Sequence, residues 1–197
     1  MNTIIEETMM FLSTRKIDMK KIIALAAIAA ACSTSAFAQS VGKFYGEAMY
    51  DVISVKDTSG DEMGTGKPKA VRLNVGTVAI DNLAVEANYT MGAGSGSYSN
   101  EPSVSMKVKN GYGIALRPFV NVTPDLELFG RIGKVRSKTE WQAGSDSGSE
   151  TNTDTIYGLG VAYTVTKDVS AVLDYNKTPE KNGSKTSMMG VGVRFNF

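Results

Sequence analysis

The chain has 197 residues, with 21 Lys and Arg against 20 Asp and Glu, a single Cys and no His. Charge this balanced leaves no electrostatic footprint for nucleic acid. The lack of His removes the usual proton-transfer group of enzymes working near neutrality, and one Cys rules out an internal disulfide framework.

The N-terminus reads as targeting sequence, to be set aside before any fold reasoning. "MKKIIALAAIAAACSTSAFAQS" begins at Met19 with Lys20 and Lys21, runs through a short apolar stretch, and reaches Ala36-Phe37-Ala38. That is the layout of a secretory signal peptide cut between Ala38 and Gln39. Its apolar run falls short of the roughly 20 residues that a spanning helix needs. Residues 1–18 carry Glu6, Glu7 and Asp18 and look unlike a targeting segment, so translation is expected to start at Met19; an extended n-region is the alternative. The expected organisation is thus 1–18 extra start, 19–38 signal peptide and 39–197 one domain. Cys32 lies in the leader, so the mature domain has no thiol and no Cys-based metal site.

Beyond Gln39 the pattern is alternation, the mark of strands with one apolar face. Eight runs are predicted, over about 44–54, 69–79, 83–92, 104–118, 126–137, 153–165, 169–177 and 187–197. One face of them is free of charge. It reads Phe44, Ala48, Tyr50 and Val52 in the first run; Leu73 and Val75 in the second; Val85 and Tyr89 in the third. It continues with Met106, Val108, Tyr112, Ile114 and Leu116, then Leu128 and Ile132, Tyr157 and Tyr163, Leu173 and Tyr175, and closes on Val191, Val193, Phe195 and Phe197. The opposite face holds Glu47, Asp51, Arg72, Glu86, Lys107, Lys109, Arg117, Glu127, Arg131, Asp174 and Arg194, with glycines filling much of the rest, as in "GYG", "GLG" and "GVG".

Such alternation fits either a soluble ligand-binding barrel with the apolar face inward or a membrane barrel with that face outward. Loop lengths decide. Connections after the second, fourth and sixth runs are short. Those after the first, third, fifth and seventh are long and polar, as in "KDTSGDEMGTGKPK", "GAGSGSYSNEPS" and "SKTEWQAGSDSGSETN". Long loops at one rim and tight turns at the other is the plan of an outer-membrane barrel with both termini in the periplasm. Phe44 and Tyr50, and likewise Tyr157 and Tyr163, stand six residues apart, or about 20 Å along a strand, which suits aromatic girdles at two interfaces; cross-strand aromatic pairing is the alternative. The predicted fold class is all-β, an eight-stranded antiparallel up-and-down transmembrane β-barrel preceded by a cleaved signal peptide. Eight strands enclose a lumen just filled by side chains, so Glu47, Arg72, Glu86, Lys107, Arg117, Glu127, Arg131, Asp174 and Arg194 are expected to form an interior charge network. Their pairing is not readable.

The leader, the eight alternating runs, "LELFGRIGKVRS" and the terminal "VGVRFNF" resemble the small outer-membrane β-barrel proteins, the group of OmpX, Ail and the OmpA transmembrane domain. The resemblance covers residues 43–197. It implies location in the outer membrane of a Gram-negative bacterium, among lipid and lipopolysaccharide. It also implies that the last strand, with Val193, Phe195 and Phe197, is the signal read by the barrel assembly machinery. Cell-wall anchoring, which in that group belongs to a further domain, is not expected. The implied role is non-enzymatic: envelope stability and adhesion-type surface interaction through the long loops, with a host or surface ligand as partner and no cofactor or metal. Trp141 is a candidate loop contact or a cap on the upper girdle. The other readings are a narrow low-conductance pore and, behind it, a soluble periplasmic ligand-binding barrel or a lipid-modifying enzyme.

Overall fold

The computed structural model describes residues 41–57, 64–180 and 183–197. The predicted leader, with Ala36, Ala38 and Gln39, lies outside the described residues. Every described element is a strand: β1 (Phe44–Asp57), β2 (Thr65–Gly66), β3 (Lys69–Ile80), β4 (Leu83–Gly94), β5 (Gly96–Ser97), β6 (Val104–Asn121), β7 (Leu126–Ala143), β8 (Asp146–Thr166), β9 (Val169–Lys177) and β10 (Ser184–Asn196).

The eight long strands pair antiparallel with their chain neighbours, and β10 returns to β1 over a continuous register from Tyr45↔Asn196 to Asp57↔Ser184. The sheet therefore closes, which removes the unpaired edges that hydrocarbon does not tolerate. Two-residue β2 and β5 hang on β1 and β6 at one rim. The eight predicted runs are all present, as an up-and-down barrel.

The tight turns sit at the other rim. Asp81 and Asn82 join Ile80 to Leu83, with Asn82 in the left-handed region at φ 63°, a conformation Asn accepts more readily than most residues. Lys167 and Asp168 join the Thr166↔Val169 pair. Between β6 and β7, the Thr123 hydroxyl accepts the Leu126 N–H at 3.0 Å, a local device that favours a turn over further strand.

The faces point as a membrane barrel requires. Arg72 is 3% exposed and its neighbour Leu73 is 42% exposed. Val85 and Leu173 are likewise outside, while Glu86 and Asp174 are buried. Phe44, Tyr163, Phe195 and Phe197 ring the tight-turn end on the outside, and Tyr50, Tyr89, Tyr112, Tyr157 and Tyr175 ring the far side of the apolar band. A continuous apolar belt of this extent is a membrane surface and not a water-facing one.

Two expectations are corrected. "SKTEWQAGSDSGSETN" is not a loop. β7 and β8 stay paired to Ala143↔Asp146 and are joined only by Gly144 and Ser145. Gly144 has φ 60°, which suits a two-residue hairpin turn with glycine first. Polar residues occupy both faces of this extension, so no apolar period marks it in the sequence. The second correction concerns β6. Val108 pairs with Thr139 and Asn110 with Lys138, leaving Lys109 as an extra residue in a β-bulge. One extra residue reverses the parity of everything beyond it. Met106 and Val108, expected on the outer face, turn into the lumen, and Lys107, expected inside, turns outward with 57% of its side chain exposed.

Candidate functional site

The lumen is filled in layers. Nearest the tight turns lies an apolar plug that includes Tyr45, Val78, Ala84, Phe119, Phe129 and Ala162. Each comes from an inward position near the end of its strand, where the barrel admits large aromatic rings.

Above the plug the charges form a closed ring. Glu47 meets Arg131 at 3.1 Å, Arg131 meets Glu86 at 2.6 Å, and Glu86 meets Arg117 at 3.4 Å. Arg117 then pairs with Glu127, Glu127 with Arg194 at 2.8 Å, and Arg194 with Glu47 at 2.9 Å. A branch leaves the ring at Arg131, which also pairs with Asp174; Asp174 holds Arg72 at 2.8 Å, and Arg72 holds Asp51 at 2.9 Å. No side chain of this cluster is more than 7% exposed. Tyr45 donates its hydroxyl to Glu86 at 2.8 Å, and Asn74 donates an amide N–H to Glu47 at 2.8 Å. The Arg117 guanidinium lies 3.9 Å from the centre of the Phe129 ring, which ties the charges to the plug beneath.

Ion pairing on this scale is what burial demands. An ion taken out of water without a partner costs several kcal/mol, and only close opposite charges with good hydrogen bonds offset that. Four Arg face five carboxylates, and Lys107 is not among them. It stands on the outer face with Lys109, and both bind Glu140, at 3.0 and 2.8 Å. Hydrogen bonds from Lys109 and then Lys107 hold the Glu140 carboxyl down at about 2. Glycine gives the cluster room: a Cβ at Gly190 would lie 2.7 Å from the Asp174 carboxylate and 2.9 Å from the Arg72 guanidinium. A side chain at position 190 would have to push these paired charges apart.

Beyond the lipid band two further features stand out. On the outside of β6 and β7, Lys107, Lys109, Lys134, Arg136 and Lys138 share one face with Glu140 as the only acid among them. Tyr112 of the girdle pairs with Arg136 and Ile114 with Lys134, so this basic strip starts at the edge of the apolar band and runs outward from it. Inside, the lumen above the ring opens into a cavity of about 660 Å³. Trp141 belongs to this lumen side and not to the girdle: its indole covers Gly148 across the hairpin and lines the cavity. Neither the strip nor the cavity was foreseen from sequence, because both depend on the bulge and on the length of the hairpin. Val193, Phe195 and Phe197 lie on the outside at the seam where β10 meets β1.

Comparison with known proteins agrees with this geometry. Ail, the attachment invasion locus protein of Yersinia pestis, superposes with a TM-score of 0.58 at 16% identity, over 80% of this chain and 100% of that one. A further structure of that protein, in complex with the heparin analogue sucrose octasulfate, matches with a TM-score of 0.57 at 16% identity, over 80% of this chain and 100% of that one. Neisserial surface protein A matches with a TM-score of 0.59 at 19% identity, over 78% and 97%. The N-terminal barrel domain of Pseudomonas aeruginosa OprF gives 0.53 at 14% identity, over 77% and 97%. At these identities the likeness is one of fold. A search of curated protein sequences finds no match. A family model described as outer membrane protein beta-barrel domain matches residues 23–197, and with it the closed barrel, the outward apolar belt and the charged lumen converge: the chain belongs to the outer membrane β-barrel protein family.

Proposed function

We propose that this protein is a non-catalytic outer-membrane barrel that stabilises the envelope and engages anionic saccharide at the cell surface. The observation that carries the reading is the basic strip on the outer face of β6 and β7, where five bases accompany one acid from the edge of the apolar belt outward. Clustered Lys and Arg beside a membrane attract phosphate and sulfate groups through a field that extends about one Debye length, about 8 Å at physiological salt. Lipopolysaccharide phosphates and sulfated host polysaccharide share that chemistry. Ail binds a sulfated sugar on the same fold. The chain contains no His, which weighs against the hydrolytic chemistry found in some barrels, and the buried ring weighs against a pore.

In this reading the leader over 19–38 is removed at Ala38, residues 39–197 insert with both termini periplasmic, and the last strand with Val193, Phe195 and Phe197 engages the assembly machinery. The test is to replace Lys134, Arg136 and Lys138 together by Gln and to measure binding of heparin and of lipopolysaccharide-containing vesicles to the barrel in nanodiscs. Binding should fall steeply with salt for the native protein and be largely lost in the variant. Unchanged binding to both would reject the proposal. Loss in one arm alone would identify the partner.

A further inference from the structure

The cavity above the charge ring has walls and a floor of different chemistry. Its walls include Ile53, Val104, Met106, Val108, Ile156 and Met188. Three of these, Val104, Met106 and Val108, face the lumen only because the Lys109 bulge reverses the parity of β6. Its floor includes Arg72, Asn88 and Asn176. Arg72 is committed to Asp51 and Asp174. The two asparagines are not so committed. Asn176 is 1% exposed and Asn88 is 8% exposed, yet both amide atoms of Asn176 and the amide oxygen of Asn88 have no hydrogen-bond partner. Buried amides are nearly always paired, so each exception calls for an explanation.

We infer that this chamber is a binding site for a neutral amphipathic small molecule, with an apolar body against the β6 and β8 walls and a hydroxyl or primary amide end group at Asn176 and Asn88. The volume of about 660 Å³ lies within the range of small-molecule pockets, which are mostly apolar with a few placed polar groups. An end group that both donates and accepts completes the Asn176 amide. Charge works against an anion: beneath the floor five buried carboxylates face four guanidinium groups, so an anionic end group would add to an excess of negative charge, and it is the open amide of Asn176 that calls for a hydroxyl or amide. The closed ring below makes the site a cup and not a passage.

Trp141 is the only tryptophan and lines the chamber, so it reports occupancy directly. The protein in lipid nanodiscs is titrated with ω-bromodecanol, whose bromine quenches indole fluorescence, and in parallel with ω-bromodecanoate at pH 8. The alcohol should quench to saturation, and the carboxylate should need at least tenfold more. Asn176→Leu should weaken the alcohol about tenfold and erase its advantage. Val108→Phe, which fills the chamber from its wall, should abolish the saturable component; Ile53→Phe serves the same purpose from β1, and the gel mobility of unheated samples verifies that each variant folds. Quenching that rises linearly with lipid-dissolved bromide, that treats the two end groups alike, or that survives Asn176→Leu or both wall substitutions in folded protein would overturn the inference.

Discussion

Arg131 touches three carboxylates at once, those of Glu47, Glu86 and Asp174, and among the described residues it alone joins the closed ring to the Arg72 branch. Removing it leaves three buried anions without their shared partner. Breaking a buried pair typically costs about 3–5 kcal/mol, and Arg131→Met should reach at least that. Asp51→Asn is a milder loss, because Arg72 keeps Asp174; about 1–3 kcal/mol is expected. Urea unfolding of the two variants in lipid vesicles measures the difference. Equal effects would mean that the ring does not act as a connected unit. The identities of these residues were legible in the sequence, since each falls on the charged side of an alternating run. Their pairing was not, because Glu47 meets Arg194 and Arg131 across separations that depend on barrel closure and register. By sequence the charged face is nearly balanced, with five acids and six bases. The buried cluster holds one more carboxylate than guanidinium, since Lys107 and Lys109 stand outside.

At the scale of the element, period two was a sound guide wherever one face met lipid, as in β3, β4 and β9. It failed in the two places where the physics carries no apolar signal. The β7–β8 extension is polar on both faces, so cross-strand pairing holds it without patterning it. The β6 bulge leaves no trace in hydropathy, because in "SMKVKNGY" Met106, Val108 and Tyr112 keep one parity, as they would in a regular strand. Cysteine labelling separates the phases. With the bulge, Lys107→Cys should react with a bulky, membrane-impermeant maleimide while Val108→Cys is protected, and deleting Lys109 should leave that pattern unchanged, since only the extra residue is lost. A regular strand would give the reverse pattern in the full-length chain and would switch it on deletion. The bulge does two things with one residue: it turns Val104, Met106 and Val108 into the chamber and sends Lys107 and Lys109 to the basic strip.

At the scale of the whole barrel, the order of layers decides whether anything can pass. Eight strands leave a lumen narrow enough for side chains to fill. Here the fill is aromatic at the tight-turn end and ionic in the middle, with a chamber only beyond that. An ion crossing would have to displace Arg117 from Phe129 and separate pairs in the ring, where each opened contact exposes charge to a medium that solvates it poorly. Thermal fluctuation opens a connected network rarely, because loosening one pair leaves its neighbours bound. The protein reconstituted in a planar bilayer should therefore show no steady conductance, and neutralising Arg72 or Glu86 singly should produce at most brief, irregular openings, since the plug of Tyr45, Phe119 and Phe129 stays in place below. Steady unitary currents in the native protein, altered in size or ion selectivity by Arg72→Gln or Glu86→Gln, would instead establish a conducting path through the ring. They would also remove the floor that makes the chamber a binding site, so single-channel recording bears on the closed lumen and on the cup built above it.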